Sequence, residues 1–245
     1  MKAVVAAAGR GKRLMPLTAD IPKPLIPIQG TPLLEYLLRG LCWAGVSEAV
    51  VVVRYLGEKV RQAFGDGSQL GIELTYAWQA GPDGTGSALL AAESLVGEEP
   101  FMLLWGDVLM DPENYRRIQA AYSACPCDLL SGLNWLDDPS TGAAVYVDGD
   151  RIVDIEEKPD SAGASTHWNQ AGLFVCAREV IAAARECGLS PREEVEFTSA
   201  VQRLIRYDSP RRIRWMPVEG FWSDVGTPEA LARLNADPAV KHLLR

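Results

Sequence analysis

Along the first 110 residues, short apolar runs alternate with stretches whose apolar positions recur every three or four residues. The runs cover residues 2–8, 48–53, 72–77 and 101–105. Their brevity and their nearly unbroken apolar character predict buried strands of a largely parallel sheet. Between them, residues 32–44 carry Leu33, Leu34, Leu37, Leu38 and Leu41, one helical stripe started by Thr31-Pro32. Residues 57–64 and 87–95 predict two more helices. Strand–helix alternation of this kind implies right-handed crossovers and an α/β sandwich.

After about residue 110 the pattern changes. Residues 111–124 predict a helix. Runs at 128–133, 142–147, 151–156 and 172–177 predict strands, separated by Gly, Asp and Pro clusters. Asp148-Gly149-Asp150 predicts a hairpin turn. Residues 194–206 predict a helix, 212–217 a strand and 227–235 a terminal helix. There is no internal repeat and no low-complexity linker. A chain of 245 residues can bury a substantial core as one domain.

Composition narrows the function classes. Apolar residues make up 48% and charged residues 23%, ordinary for a soluble globular protein. The net charge of −8 argues against wrapping nucleic acid but leaves room for a local basic pocket. The first apolar run is too short for a signal segment, and no other is long enough for a bilayer. A cytoplasmic protein without membrane or nucleic-acid partners is expected. Of the five cysteines, only Cys125 and Cys127 are close-spaced, with no His or second Cys pair nearby. Reduced structural thiols fit better than a zinc site. His167 and His242 have no nucleophile or carboxylate pattern around them, which argues against a His-dependent triad.

The chemistry concentrates near the N-terminus. The first apolar run ends in Gly9-Arg10-Gly11-Lys12-Arg13, and Pro22-Lys23-Pro24 follows shortly after. Glycines let backbone N–H groups approach an anion, and Arg13 and Lys23 bring charge to it. A lone Gly-x-Gly is usually a surface turn. A second basic residue clamped between prolines tips the balance towards a phosphate site. It is not a P-loop, because Gly11-Lys12 is followed by Arg13. It is not the dinucleotide fingerprint either, because Leu14 and Pro16 stand where Gly or Ala and a helix are needed. Asp107 follows the run 101–105, at the strand end where α/β sheets bind ligands.

Ala7-Ala8-Gly9-x-Gly11-Lys12-Arg13-Leu14-Met15-Pro16-Leu17-Thr18, with Pro22-Lys23-Pro24, resembles the signature of the sugar-1-phosphate nucleotidyltransferases, the NDP-sugar pyrophosphorylases. Gln79 with Gly84-Thr85-Gly86, Glu157-Lys158-Pro159, Asn169-Gln170-Ala171-Gly172, Glu196-Phe197-Thr198-Ser199 and Trp222-Ser223-Asp224-Val225-Gly226-Thr227-Pro228-Glu229 resemble further family motifs in the same order. The similarity covers nearly the whole chain. It is to glucose-1-phosphate thymidylyl- and uridylyltransferases, without the C-terminal β-helix domain that members often carry.

The resemblance implies a Rossmann-like three-layer sandwich with a mixed, mainly parallel sheet and a sugar-binding subdomain. It implies a single domain over 1–245, with a nucleotide part of about 1–110 plus 220–235 and a sugar part of about 111–219. By the same resemblance Arg13, Lys23, Asp107 and Asp224 are catalytic, and Asp107 and Asp224 hold Mg²⁺. Ala8, Gly9, Gly11, Gln79, Gly84 and Thr85 would bind the nucleotide. Glu157, Lys158, Asn169, Gly172 and Glu196 would bind the sugar phosphate. The Gln79 amide, donor and acceptor at once, matches the O4 and N3–H of uracil or thymine.

The implied partners are a nucleoside triphosphate, UTP or dTTP favoured, and a hexose 1-phosphate, giving NDP-sugar and pyrophosphate. Guanylyl transfer to mannose 1-phosphate and uridylyl transfer to an amino sugar stay open. So does a non-catalytic sugar-nucleotide-binding regulatory protein. The oligomeric state is open too, a homo-oligomer included. Lys12 stands where the family usually has Thr or Ser. Because members manage without a charge there, it is expected to point outward.

Overall fold

The computed structural model describes residues 1–159, 164–206 and 213–244. Its first half runs β1 (Ala3–Ala6), β2 (Pro27–Ile28), β3 (Thr31–Pro32), α1 (Leu33–Trp43), β4 (Glu48–Val53), α2 (Gly57–Phe64), β5 (Glu73–Trp78), α3 (Thr85–Val96), β6 (Phe101–Trp105) and β7 (Val108–Met110). The second half runs α4 (Glu113–Ala124), β8 (Leu129–Trp135), β9 (Ala143–Asp148), β10 (Arg151–Glu157), β11 (Trp168–Cys176), α5 (Arg178–Arg185), α6 (Phe197–Arg206), β12 (Ile213–Pro217), β13 (Trp222–Asp224) and α7 (Pro228–Ala236).

One nine-stranded sheet has the order β5-β4-β1-β6-β11-β8-β12-β10-β9. Its first four strands are mutually parallel. β11 enters antiparallel between β6 and β8, and β12 lies parallel to β8. β10 is antiparallel to both β12 and β9. The sheet is therefore mixed, with its purely parallel part built from the first 105 residues.

Strand alternation divides the interior into two cores. Ala3, Val5, Val51 and Leu104 face one side, where α1 and α4 contribute Leu34, Leu38, Tyr115 and Ile118. Val4, Val52, Leu103 and Phe174 face the other, under α3, α5 and α6 with Leu89, Ile181 and Phe197. This is the three-layer sandwich. No helix among the described residues is long and apolar enough to cross a membrane.

Several elements differ from the sequence expectation. The run 2–8 is a strand only to Ala6, because Ala7 and Ala8 leave the sheet for the glycine loop. Thr31-Pro32 forms β3, so α1 starts one residue late. α5 was not expected, since its stripe of Val180, Ile181 and Ala184 is short and alanine-rich. β11 starts at Trp168, before the expected run 172–177, because it buries two polar residues, Asn169 and Gln170. The ladder of β7 with β13 also had no periodic signal. Arg212, first residue of the expected strand 212–217, lies outside the described residues.

Asn169 explains how polar residues enter that core. Its Oδ1 accepts from Ala143 N at 3.0 Å, and its Nδ2 donates to Asn134 Oδ1 at 2.9 Å and Gln170 O at 2.8 Å. The side chain thus pins β11 to β8 and β9. Asn169→Ala leaves buried groups unpaired, at a cost of about 1–3 kcal/mol. Thermal unfolding of the ligand-free variant should fall by several degrees, roughly 2–4 °C per kcal/mol. An unchanged Tm would mean that the strut carries no stability.

Candidate active site

The glycine-rich loop is built where β1 stops. Gly11 adopts a left-handed backbone, φ 67°, and caps a single 3₁₀ turn that carries Lys12 and Arg13. Thr18 Oγ1 donates to Gly11 O at 2.9 Å and fixes the turn. Pro22 holds an extended backbone ahead of another 3₁₀ turn, Lys23–Leu25. Prolines on both sides leave Lys23 little backbone freedom. Its side chain turns inward, and the residue is only 8% exposed.

Lys23 Nζ donates to Asp107 Oδ2 at 2.7 Å. Asp107 follows β6, as the strand pattern predicts. Burial pushes the Asp107 carboxyl up, but the Lys23 ammonium, with Arg13 behind it, outweighs that and holds it below the ordinary carboxylate value. The carboxyl sits deep in protein even though 42% of the side chain opens onto a cleft. Asp107 O accepts from Val225 N at 2.8 Å, and β13 pairs Asp224 with Val108 of β7. That register brings the backbones of the two aspartates together, and both residues line the same cleft. Arg13 joins them: Arg13 Nη2 and Asp224 Oδ2 lie 2.9 and 2.6 Å from where a β-carbon on Gly226 would sit.

Carboxylate oxygens suit a hard cation, and a Mg²⁺ site commonly has one or two of them. Among the described residues no three His, Cys, Asp or Glu side chains are grouped to enclose a metal. A cation here would take its other ligands from water and bound phosphates.

Another part of the wall is the loop between β5 and α3. Gln79 is 7% exposed. Its Nε2 donates to Pro82 O at 3.1 Å and Gly84 O at 3.4 Å, so the amide shapes its own loop and its donor side is engaged. Arg54 pairs with Asp83. Gly84 has φ 117°, and a β-carbon there would lie 2.2 Å from Val195 O, so only glycine fits. Thr85 Oγ1 accepts from Phe197 N at 3.0 Å. This loop is thereby bonded to the segment that carries Glu196.

At the other end, Glu157 and Glu196 share one cation. Arg192 Nη2 lies 3.1 Å from Glu157 Oε1 and 2.7 Å from Glu196 Oε1. Burial first, then the Glu196 carboxylate, raises the Glu157 pKa, while Lys158 and Arg192 pull it back in part. Lys158 is exposed, 3.8 Å from Glu157 Oε1, with its backbone N bonded to Gly142 O at 2.7 Å.

The charged side chains of both ends line one cleft of 1510 Å³. Its wall includes Ala8, Gly9, Gly11, Arg13, Lys23, Gln79, Gly84, Thr85, Asp107 and Asp224, with Glu157, Lys158, Asn169 and Glu196 further along. Gly172 does not line it; this glycine packs on the Trp105 indole. Lys12 differs from expectation: it is exposed but lines the cleft. Sequence reasoning missed Arg192, whose one signal was a position four residues before Glu196. It also missed the β7–β13 ladder, which had none.

Comparison with known proteins agrees with this geometry. The nucleotidyl transferase family matches residues 2–240. The low-salt glycan biosynthesis nucleotidyltransferase Agl11 of Haloferax volcanii is 32% identical over 96% of this chain; the chain spans 65% of that relative, less than two thirds. The UTP–glucose-1-phosphate uridylyltransferase AglF of the same organism is 32% identical over 94% of this chain and 93% of its own. A crystal structure of a Bacillus anthracis protein assigned as a glucose-1-phosphate thymidylyltransferase, in complex with sucrose, superposes with a TM-score of 0.85. It is 25% identical and covers 96% of this chain and 94% of its own. A family match over nearly the full length coincides with a glycine loop, a carboxylate pair and an acidic far end in one cleft: the chain belongs to the nucleotidyl transferase family.

Proposed function

We propose that the protein transfers a nucleotidyl group from a nucleoside triphosphate to a hexose 1-phosphate, forming an NDP-sugar and releasing pyrophosphate. The observation that carries this reading is the single cleft with a cationic loop at one end and paired carboxylates at the other. Its volume exceeds the roughly 300–1,000 Å³ usual for one small ligand, as a two-substrate reaction requires. Residues 1–110 with 220–235 would serve the nucleotide, and 111–219 the sugar. Relatives named as uridylyl-, thymidylyl- and guanylyltransferases leave the base to be read from this chain. With the Gln79 donor engaged, its Oε1 acceptor suits the N3–H of uracil or thymine. UTP or dTTP is the favoured nucleotide. A cytoplasmic location fits a consumer of nucleoside triphosphates.

The nucleophile is a phosphate oxygen of the sugar phosphate, already anionic at neutral pH, so no general base is needed. It attacks the α-phosphorus in line, and pyrophosphate leaves. The side chains position the reactants and meet their charge. Lys23 spends one of its three N–H donors on Asp107 and keeps others for the α-phosphate. Arg13 and Lys12 face the departing pyrophosphate, and Lys158 orients the nucleophile. Asp107 and Asp224 would hold Mg²⁺, which supplies charge neutralisation at the phosphates when bound.

Pyrophosphate release should appear with UTP or dTTP, a hexose 1-phosphate and Mg²⁺. The assay is a panel of nucleotides against sugar 1-phosphates. If no pair exceeds the enzyme-free control, a non-catalytic sensor replaces this reading. Asp107→Ala and Asp224→Ala should each lower kcat roughly a hundredfold or more. The double variant should be little worse than either single one, since the pair acts as a unit. Near-normal rates in a single variant would remove these residues from the mechanism.

Lys12→Thr should raise the nucleotide KM about two- to fivefold, the scale of an exposed ionic contact. The loss should shrink in high salt. A silent substitution, measured at low ionic strength, would mean that the ammonium does not meet the phosphates.

A further inference from the structure

Three strands end side by side under one part of the cleft. β4 lies between β1 and β5, with Val52 beside Ala6 and Val53 beside Trp78. Ala7 N donates to Val52 O and Gln79 N to Val53 O, each at 3.0 Å. The glycine-rich loop therefore leaves on one side of β4 and the Gln79 loop on the other. Between them runs the turn from β4 into α2, with Arg54, Tyr55 and Leu56, the last at φ 52°. Ligands of α/β sheets bind over such strand ends. A group held between the two loops lies over this turn.

The turn grips both neighbours. Tyr55 Oη donates to Ala19 O at 2.6 Å, and Lys59 Nζ, from the first turn of α2, donates to Asp20 O at 2.7 Å. The Arg10 guanidinium lies over the Tyr55 ring, 4.9 Å from its centroid. On the opposite side Arg54 pairs with Asp83. Arg10, Arg54, Tyr55 and Asp83 all line the cleft.

Asp83 is a junction. Its carbonyl accepts from Val195 N at 3.0 Å and from Ser87 Oγ at 3.3 Å. Pro82 and Gly84, on either side of it, accept from Gln79 Nε2. Asp83 thus stands in the middle of the stretch that orients the Gln79 amide, and Arg54 holds its side chain towards β4. Residues 80–83 are exposed, so packing does little to fix this stretch and the ion pair takes a larger share. Phosphates are already offered cations by Lys12, Arg13 and Lys23 in the same cleft. We propose that Arg54 is a positioning residue for nucleotide selection: by holding Asp83 it keeps the loop in the shape in which the Gln79 amide faces the base. The proposal rests on the nucleotidyl-transfer reading above and extends it to a residue that acts without touching either substrate.

The test is calorimetric binding of UTP, dTTP, CTP, GTP and inorganic pyrophosphate to the full chain. Arg54→Ala should weaken the preferred nucleotide about two- to fivefold, the scale of an exposed ion pair, and the other nucleotides less. Asp83→Ala should lose the same factor, and the double variant no more than either single one, because the two side chains act through one contact. Pyrophosphate should bind all variants as it binds the native protein. The unfolding temperature without ligand should stay close to native, since a pair this exposed adds little stability. Additive losses, or a weaker hold on pyrophosphate in Arg54→Ala, would mean that Arg54 meets the nucleotide directly and would overturn the assignment. Native preference in both single variants, or an equal loss on every nucleotide, overturns it too. A native protein that binds no nucleotide removes the reading above and this role with it. Coupled losses of the expected kind without pyrophosphate release in an assay would sink the reaction and leave the role of Arg54 intact.

Discussion

A lysine that is 8% exposed must have its charge met, because an uncompensated buried charge costs about 3–5 kcal/mol. Lys23 meets its charge at Asp107, and that pair gathers the glycine-loop end of the cleft. The Lys23 side chain packs on Gly11, so the turn between the prolines and the glycine loop have one geometry between them. Asp107 fixes the end of β6, and its carbonyl holds Val225. Through Val225 the ladder of β7 and β13 is set, and with it Asp224. Segments more than 200 residues apart in sequence are thus brought to one point by a single ammonium group.

The far end is organised around anions instead. Glu157 and Glu196 would repel each other in a half-buried site, and Arg192 bridges them. The Glu157 carboxyl still feels both the burial and its neighbour. The Arg192 loop continues into Val195, whose backbone is bonded to Asp83 O and to Gly86 N. The loop before α3 and the acidic end of the cleft therefore share main-chain hydrogen bonds, and a shift in that loop moves the carbonyl next to Glu196.

Much of the glycine-loop end was legible in the sequence because it is local. Gly11, Arg13 and the Pro22-Lys23-Pro24 turn lie within a few residues of one another, and their backbone chemistry is fixed by residue type. Asp107 was legible because a strand pattern ends just before it. The end with Glu157 and Glu196 was less so. Arg192 lies in a loop with no periodicity, and its function comes from carboxylates on two other segments. Asn169 and Gln170 are adjacent and both polar, and nothing in their order says which one the strands consume. The register against β8 and β9 decides that, and a register is a long-range property. β7 and β13 are each three residues long, too short for any pattern to emerge.

The start of α3 has a consequence for how phosphates can be bound. A helix N-terminus carries partial positive charge and free N–H groups, and often serves as an anion site. Here Gly86 N and Ser87 N both donate to Val195 O, at 2.8 and 3.3 Å. The dipole is answered from within, by a carbonyl of the other half. The loop after β1 leads into 3₁₀ turns rather than an α-helix, so it has no comparable dipole to offer. On the proposed reaction, phosphate would therefore be met by formally charged side chains, among them the exposed Lys12, Arg13 and Lys158. Such an anion site is soft: the ions of the surrounding solution compete with it directly, in a way they could not compete with a helix dipole shielded inside the fold.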